Sequence, residues 1–336
     1  MDPTKLEVLS AARAFQMRDE SHGRRRRSAF HLPLPDPSAT VVFLPQTDYN
    51  GQVTAPNKQN PIRLLAVDLD GTLLNSTSDV SSASRQALVA AVERGVQVVI
   101  VTGRRFHSAM QFVRQVPFPV SLISSNGARI TDSRGEVQHT NFLPCQVARQ
   151  ILRAARDYRP YAVAMFDIPG RGQVTMQDNA VAESPLGWYL RSSPDSLAQV
   201  PDLEAAITAD PVVIMFGGPP GRIEPLEPLL RSFSPAGSVH LTWTKYPARN
   251  ISILDVMNLG CSKGAALSLW ATRCHIEPGE VMAIGDNYND LEMLQFAGHP
   301  VVMGNCTAGL DSNGWPVTLS NDEDGVAEAI RRYILR

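Results

Sequence analysis

The sequence predicts an α/β fold in which a parallel sheet is covered on both faces. A continuous apolar run at residues 64–67 is typical of a strand buried on both faces. A βαβ pattern follows, with helically spaced apolar residues over 81–93, Gly95 where a helix would end, and a β-branched run over 96–101. A third short apolar run lies at 280–284. All three runs lead into polar residues, at the strand ends where open α/β sheets bind ligands.

Two acids follow the first predicted strand. Asp68 and Asp70 are two residues apart, so an extended chain projects both carboxylates to one side before Gly71 releases the chain into a loop. Converging carboxylates need a cation or a proton to relieve their repulsion. Mg²⁺ is the expected cation, because it accepts a few carboxylates and shares its other positions with water and phosphate oxygens. A solvated strand end or an incidental cation site would give the same short pattern.

The next two strand ends carry hydroxyl and amide groups. Thr102 and Gly103 precede a helix predicted from Arg104, and a hydroxyl beside a glycine N–H there would make a phosphate cradle. An ordinary Thr-Gly turn is the alternative. A third strand predicted at 120–124 leads to Asn126-Gly127, a turn signal that closes hairpins.

The last part of the chain adds a lysine and two more acids. Lys263 stands just before the helical pattern of 265–272, where the helix dipole disfavours a cation, and this mismatch hints at a function. Asp286 follows the strand at 280–284, and Asp290 falls in the first turn of the next helix. Helix capping would explain one of these acids but not both.

Composition limits the class of protein. The 336 residues allow two domains and a tail, and 43% hydrophobic residues suffice for real cores. A net charge of −2 gives no reason to expect nucleic acid or an anionic membrane as partner, and no apolar run approaches the roughly 20 residues of a membrane span. Four scattered cysteines without a CxxC pair fit free thiols in a reducing, cytoplasmic compartment: Cys145, Cys261, Cys274 and Cys306.

The composition of residues 1–60 differs from that of the rest of the chain and predicts a poorly ordered extension. Residues 1–16 have the spacing of a short helix, but four arginines at 24–27, three prolines and a polar stretch at 48–60 indicate a linker. The arginines favour a solvated basic tail over a nucleic-acid or membrane patch, because nothing aromatic accompanies them. Several acids disfavour an organelle transit peptide.

Residues 142–246 contain no catalytic motif and predict a separate cap with its own small sheet. Helix-like patterns at 146–158 and 202–208 alternate with strand-like ones at 161–166, 211–216 and 238–243. Substrate choice is expected here, although each polar or aromatic candidate is more often a core or solvated surface residue: Trp188, Tyr189, His240, Trp243 and Lys245. The chain is expected to return to the first domain near Ile251, and strands at 299–303 and 316–319 and a helix at 322–333 complete it.

Five short motifs together resemble those of the haloacid dehalogenase superfamily. In chain order they are Asp68-Leu69-Asp70-Gly71-Thr72, Thr102-Gly103-Arg104, Asn126-Gly127-Ala128, Ser262-Lys263-Gly264, and Gly285-Asp286 with Asn289-Asp290. Their order is similar to that of the type IIB, or Cof-like, subgroup, whose α/β cap is inserted between the second and third catalytic motifs. The resemblance covers residues 62–334 and departs from the pattern at Cys306, where relatives commonly have alanine.

The resemblance implies a Rossmann-like core in 61–141 and 247–336 with a cap at 142–246, acting as a magnesium-dependent phosphatase on a small phosphorylated metabolite. Asp68 would be the nucleophile and Asp70 the general acid and base. Mg²⁺ would be held by Asp68, Asp286 and the backbone carbonyl of Asp70, with Asp290 orienting these groups. The phosphoryl group would be bound by Leu69, Thr102, Gly103, Lys263 and Asn289.

Three other classes were weighed against the phosphatase. A phosphotransferase or mutase would use the same aspartyl-phosphate and pass the group to a sugar. A dehalogenase is disfavoured because its nucleophile needs neither the metal nor the acid present as Asp70. A non-enzymatic binding module would require a missing reacting residue. No nucleic-acid or membrane partner is expected, and the sequence does not predict the oligomeric state.

Overall fold

The computed structural model describes residues 61–178, 194–233 and 238–336. The predicted extension at 1–60, with its helix and arginine run, lies outside these ranges, as do the candidate substrate contacts Trp188 and Tyr189. No helix within the described ranges is long and apolar enough to cross a membrane.

The described residues form two sheets with helices packed on them. In chain order the strands are β1 (Leu64–Asp68), β2 (Gln97–Val101), β3 (Ser121–Ser124), β4 (Arg129–Thr131), β5 (Val137–Thr140), β6 (Ala162–Met165), β7 (Val174–Gln177), β8 (Leu197–Val200), β9 (Val213–Gly218), β10 (Val239–Tyr246), β11 (Ile251–Asn258), β12 (Val281–Gly285) and β13 (His299–Val302). The helices are α1 (Ser82–Glu93), α2 (Phe106–Val113), α3 (Cys145–Ala154), α4 (Leu203–Ala206), α5 (Pro220–Ile223), α6 (Leu226–Phe233), α7 (Lys263–Arg273), α8 (Leu291–Phe296) and α9 (Gly325–Tyr333).

The first sheet carries the predicted motifs. Its strand order is β13-β12-β1-β2-β3-β4-β5, parallel from β13 to β3 and antiparallel over β4 and β5. Val67 of β1 lies opposite Ile284 of β12 and Ile100 of β2. The carboxyl ends of these three strands therefore meet at one edge, which brings the residues after them side by side.

Both faces of the first sheet are covered, as the continuous apolar strands predicted. Leu65 and Val67 of β1 point into a core shared with α1, α2 and α9. Leu64 and Ala66 point into a second core shared with α7 and α8. Each large side chain buried in this way contributes about 1.5–3 kcal/mol. The predicted doubly wound α/β class is confirmed.

The second sheet has the order β10-β11-β9-β6-β7-β8 and is antiparallel except between β7 and β8. Helices α3, α4 and α6 pack on one face, around Phe216 and Leu254. The other face is an apolar cluster with Met165, Met215 and Ile253, and this cluster also includes Ala128, which precedes β4 of the first sheet. The second sheet thus contacts the first through the face opposite α3, α4 and α6.

The pairing of β11 differs from one predicted boundary. Residues from 247 onwards were assigned to the core, but β11 pairs antiparallel with both β10 and β9, with Leu254 opposite Trp243 and Phe216. The sequence could not reveal this, because an apolar run is equally suited to either sheet. We therefore propose that the inserted unit spans 142–258. At its base Asn258 Nδ2 donates to Asn141 Oδ1 at 2.7 Å, so the two connecting segments touch.

Three smaller elements also differ from prediction. The helix expected over 202–208 is the single turn α4, capped by the Asp202 carboxylate. The strand expected over 316–319 makes only an isolated bridge between Val317 and Val302. The last helix begins at Gly325 because Asp324, at φ 61°, interrupts the helical backbone before it.

Candidate active site

A buried ion cluster lies where β1 and β12 end. Asp68 is the last residue of β1 and is 4% exposed. Its Oδ1 accepts a hydrogen bond from Lys263 Nζ at 2.6 Å, and Lys263 Nζ also lies 2.6 Å from Asp290 Oδ1. The ammonium is 1% exposed, so these carboxylates replace its hydration.

Lys263 is the first residue of α7, the position that made it unusual in the sequence. Burial lowers its pKa, but the charges of Asp290 and Asp68 outweigh burial and hold the pKa above its usual range. The lysine therefore remains a cation, and two carboxylates offset the unfavourable helix dipole. Ser262 caps the helix through Oγ, which accepts the N–H of Ala265 at 3.1 Å.

Three buried carboxylates share this one ammonium. Oxygens of Asp68, Asp286 and Asp290 lie within 4.8 Å of one another. Burial is the main cause that raises the pKa of Asp68 well above its usual range, and it raises the pKa of Asp286 to about 7, with Asp290 adding to the effect. Crowded, desolvated acids of this kind are relieved by a divalent cation bound through oxygen.

Two residues of the first motif shape the position of Asp286. Thr72 Oγ1 donates to Asp286 Oδ1 at 2.8 Å, a contact that the sequence analysis did not foresee. Gly71 has φ 82°, and a Cβ at this position would overlap Asp286 Oδ2. Only glycine therefore allows the loop after β1 to pass so close to this carboxylate.

Asp290 uses both of its oxygens within the protein. Oδ1 accepts Lys263 Nζ, and Oδ2 accepts the backbone N–H groups of Asp286 and Asn287, each at 3.0 Å. These bonds fix the loop after β12, from which Asp286 projects into the cluster.

Asp70 stands apart from the buried group. Its side chain is 44% exposed and forms a bidentate pair with Arg104, at 2.7 Å from Nε and 2.5 Å from Nη2. The Arg104 guanidinium in turn stacks 4.2 Å from the ring centroid of Phe112. The sequence placed both acids at one strand end but did not predict this partner.

The predicted phosphate-binding residues occupy different parts of the site. Thr102 is fully buried at the end of β2, and its Oγ1 accepts the N–H of Arg104 at 3.0 Å. Gly103 is the next residue and lies close to Asn126. A Cβ on Gly103 would lie 3.1 Å from Asn126 Oδ1. Asn289 reaches the same place, because its Nδ2 donates to Asn126 Oδ1 at 3.0 Å. The Leu69 side chain is buried in the core, which leaves only its backbone to face a ligand.

Asn126 and Asp255 are polar residues whose part in the site the sequence analysis missed. Asn126 does close the hairpin between β3 and β4, as its Asn-Gly signal predicts. It also donates from Nδ2 to Asp255 Oδ2 at 2.8 Å and from its backbone N–H to the Thr102 carbonyl at 3.0 Å. The sequence did contain a sign that Asp255 is unusual, because this acid interrupts the apolar run of β11.

A cavity of about 420 Å³ lies between the edge strand β10 and residues 288–292. Three of the five candidate substrate contacts line it, namely His240, Trp243 and Lys245, together with Tyr288 and the predicted phosphate contact Asn289. The adjacent Asn287 amide bridges to the backbone of β10, because its Oδ1 accepts the Lys245 N–H at 3.4 Å and its Nδ2 donates to the Lys245 carbonyl at 3.3 Å.

Comparison with known proteins identifies a family and several relatives. A family model described as haloacid dehalogenase-like hydrolase matches residues 65–330. An HMP-PP phosphatase of Serratia proteamaculans is 32% identical over 251 residues, which are 74% of this chain and 86% of that protein. The 5-amino-6-(5-phospho-D-ribitylamino)uracil phosphatase YcsE of Bacillus subtilis is 29% identical over 274 residues, covering 82% of this chain and 96% of that one. The crystal structure of a haloacid dehalogenase-like hydrolase from Bacteroides thetaiotaomicron has a TM-score of 0.66 and 28% identity, over 81% of this chain and 99% of that chain.

These matches confirm the resemblance and the fold predicted from the motifs. They also confirm the predicted enzyme class, a hydrolase of phosphoric monoesters, since the two curated relatives named above are phosphatases. The match to the family model extends over both sheets and includes every residue of the ion cluster. The chain belongs to the haloacid dehalogenase-like hydrolases.

Proposed function

We propose that this protein is a magnesium-dependent phosphatase that hydrolyses a small phosphorylated metabolite through an aspartyl-phosphate on Asp68. The observation that carries the proposal is the imbalance of the ion cluster, in which one ammonium faces three buried carboxylates. A purely structural ion pair would balance its charges, because an unpaired buried carboxylate destabilises a fold. The surplus negative charge suits a site that binds a divalent cation and then an anionic substrate.

The donor set fits Mg²⁺. Asp68 and Asp286 offer carboxylate oxygens, and the missing side chain at Gly71 keeps the approach to Asp286 open. Asp290 already uses both oxygens within the protein, so we assign it the role of orienting the loop that carries Asp286. We assign the third protein ligand to the backbone carbonyl of Asp70. When bound, the ion would neutralise the carboxylates and the phosphoryl oxygens.

Asp68 is the proposed nucleophile. Its carboxylate oxygen forms a bond to phosphorus while the ester oxygen–phosphorus bond breaks, and a water molecule then breaks the new bond and releases phosphate. Lys263 stays charged next to Asp68 and screens the approach of one anion to another. Division of the transfer into two steps makes each step easier than direct attack by water.

Asp70 is the proposed proton carrier. It would protonate the leaving alkoxide and later take a proton from the attacking water. Its half-exposed carboxylate must release at least one bond to Arg104 before it can hold a proton for the substrate. A rotation of the Asp70 side chain away from Arg104 would provide this state.

The remaining residues would hold the transferred phosphoryl group. Thr102 Oγ1 accepts the Arg104 N–H, so its own hydroxyl hydrogen can be donated to a phosphoryl oxygen. Asn289 uses one amide hydrogen on Asn126 and keeps the second for the ligand. The backbone N–H groups of Leu69 and Gly103 complete the proposed set.

The substrate class follows from the relatives and the cavity. The named relatives act on HMP-PP and on 5-amino-6-(5-phospho-D-ribitylamino)uracil. The cavity beside Asn289 would hold the leaving group of such a small phosphorylated metabolite, against Trp243, Tyr288 and Lys245. A phosphotransferase or mutase would use the same core residues, and analysis of the phosphorylated product separates the two activities.

The decisive experiment measures phosphate release from a panel of phosphorylated metabolites by wild-type protein, Asp68→Asn and Asp79→Asn. Asp68→Asn should lose about three orders of magnitude in kcat or more, because nothing else at the strand end can replace the nucleophile. Asp79→Asn makes the same chemical change at an exposed acid and should keep wild-type activity.

The same samples test the intermediate. After an acid quench, the wild-type peptide that contains Asp68 should carry a phosphoryl group, and the Asp68→Asn peptide should not. Phosphate release by Asp68→Asn at a rate near that of Asp79→Asn would refute the proposed mechanism.

A further inference from the structure

Asp255 is a buried acid that the proposed reaction leaves without a task. It is 4% exposed, and its neighbours along the same face of β11 are the apolar Ile253 and Met257. Oδ2 accepts Asn126 Nδ2 at 2.8 Å, whereas Oδ1 has no hydrogen-bond partner among the residues that the structure describes. Burial raises its pKa to about 7 against the opposing effect of the Asn126 hydrogen bond. Packing alone would favour an apolar side chain at this position.

Asn126, the hydrogen-bond partner of Asp255, contacts three other parts of the site. The Asn126 backbone N–H donates to the carbonyl of Thr102 at 3.0 Å, and Asn126 Oδ1 accepts Asn289 Nδ2 at 3.0 Å. Gly103 lies so close that a Cβ there would be 3.1 Å from Asn126 Oδ1. The orientation of the buried Asn126 amide therefore affects the groups that would hold the phosphoryl oxygens.

The polarity of the carboxylate fixes that orientation. An asparagine amide has a donor end and an acceptor end, while the Asp255 oxygen that faces it, Oδ2, accepts a hydrogen bond. Asp255 therefore holds the Nδ2 end of Asn126 and turns its Oδ1 towards Asn289. If the amide were reversed, Asn126 Nδ2 would face Asn289 Nδ2 and two donors would oppose each other. With Asp255 in place, Asn289 keeps one amide hydrogen on Asn126 and has the other free for a ligand.

We propose that Asp255 is a positioning residue that orients Asn289 towards the transferred phosphoryl group through Asn126. The inference rests on the proposed function, because it assigns Asn289 to the phosphoryl group. Asp255 belongs to β11 of the second sheet, whereas Asn126 and Asn289 belong to short 3-10 turns that follow β3 and β12 of the first. The phosphate site is therefore complete only when β11 is seated against the hairpin between β3 and β4.

The test compares Asp255→Leu with Asp255→Asn in the full-length protein. Leucine has a similar size but accepts no hydrogen bond, whereas the asparagine oxygen can accept the same bond from Asn126. For Asp255→Leu we expect kcat/KM to fall about 10- to 100-fold, the range found when a supporting partner of a site residue is removed. The fall should be the same for p-nitrophenyl phosphate as for the best metabolite, because both present the same phosphoryl group. The Ki of inorganic phosphate should rise in parallel.

Two further variants separate positioning from packing. Asp255→Asn should recover at least about a third of wild-type kcat/KM, and Met257→Leu, on the same face of β11, should keep the wild-type value. In an Asn289→Ala background, Asp255→Leu should have no additional effect on kcat/KM, because both changes remove the same contact.

Several results would contradict the proposed role of Asp255. If the wild type is active and Asp255→Leu has the same kcat/KM and Ki, this inference is overturned. It is also overturned if the effects of Asp255→Leu and Asn289→Ala on kcat/KM are fully additive. If Asp255→Leu does not fold, Asn126→Gly takes its place in the test. Glycine tolerates the φ of 52° at this position and removes the amide. Wild-type activity of Asn126→Gly would then overturn the inference. A wild type that is inactive on every phosphorylated substrate would instead refute the proposed function.

Discussion

At the scale of single residues, the ion cluster shows how a fold holds charge where it would ordinarily be excluded. Lys263 and the three acids are buried, and each ion would be unfavourable there alone. The ammonium offsets part of the acidic charge, and the hydroxyl of Thr72 and two backbone N–H groups offset more. Burial, with repulsion from the neighbouring acids adding to it, raises the pKa of Asp68 and Asp286 and makes the site responsive to protons and to metal.

The raised pKa values predict a pH dependence of stability. An unfolded aspartate has a pKa near 3.9, whereas Asp286 and Asp255 have pKa values of about 7 in the fold. The folded protein therefore holds more protons than the unfolded chain between these values. The contribution of both groups to the free energy of unfolding is greatest below pH 4 and falls as the pH rises to about 7. Mg²⁺ competes with protons for Asp286, so it should bind more tightly at higher pH.

Thermal unfolding in chelator and in excess Mg²⁺ measures this effect. The rise in Tm caused by Mg²⁺ should be larger at pH 8 than at pH 5.5. Asp286→Asn should lose most of that rise, and Asp79→Asn, an exposed control, should keep it. An equal rise in Tm at both pH values, or its persistence in Asp286→Asn, would show that the metal does not bind at Asp286.

At the scale of elements, β10 is an edge strand that brings the second sheet next to the residues that follow β12. The Asn287 amide pairs with both backbone groups of Lys245, in the manner of a neighbouring strand. Asn287 directly follows Asp286, so the position of β10 is linked to the proposed metal ligands. The cavity between β10 and 288–292 lies beside this contact, and under the proposed function it would receive the leaving group.

Lys245 should therefore influence which leaving group is accepted. Its Nζ lies 5.5 Å from the ring centroid of Tyr288 and 6.0 Å from that of Trp243, which gives the cavity one cationic and two aromatic groups. Lys245→Gln should lower kcat/KM about tenfold or more for substrates with an anionic leaving group relative to neutral ones, because a charge contact is lost from the transition state.

The measurement is a ranking of kcat/KM over substrates of different charge, with acetyl phosphate as a substrate too small to reach the cavity. The turnover of acetyl phosphate and the Mg²⁺ requirement should not change in Lys245→Gln. Arg156→Gln removes a cation from the same inserted unit at a side chain that is 80% exposed, and it should leave the ranking unaltered. An unchanged ranking in Lys245→Gln would place specificity elsewhere.

At the scale of the whole molecule, polar contacts at several points join the second sheet to the first. Arg129 pairs with Asp167 at 2.6 Å, and Arg105 donates to Gln173 and, at 3.3 Å, to Ser196. These lie near one side of the second sheet, while the Asn287–Lys245 contact lies at its opposite edge. Contacts at both edges hold the inserted unit over the strand ends, which is the arrangement needed to exclude water from a phosphoryl transfer.

Residues 1–60 should be dispensable for this arrangement. The family match begins at residue 65, and all the proposed site residues follow it. A protein that starts at residue 61 should keep kcat and KM within about twofold of the full-length chain and should unfold at a similar Tm, since no catalytic group is removed. Insolubility or a loss of most of the turnover would mean that the extension supports the fold or the site.

The sequence by itself determined the parts that depend on local pattern. Apolar runs of four to six residues predicted β1, β2 and β12, and the polar residues at their ends predicted which side chains meet, because parallel strands place their carboxyl ends together. It therefore predicted that Asp68, Thr102 and Asp286 lie at one edge, and the short motifs predicted the family.

The specific hydrogen-bond partners of the site residues depended on the tertiary structure instead. Asp70 pairs with an arginine 34 positions away, and Asn126 pairs with an acid 129 positions away. The apolar pattern of β11 fits either sheet, and its place was set by pairing with β9 and β10. Periodicity reports which residues are buried but not what they are buried against, because that choice depends on the packing of the whole chain.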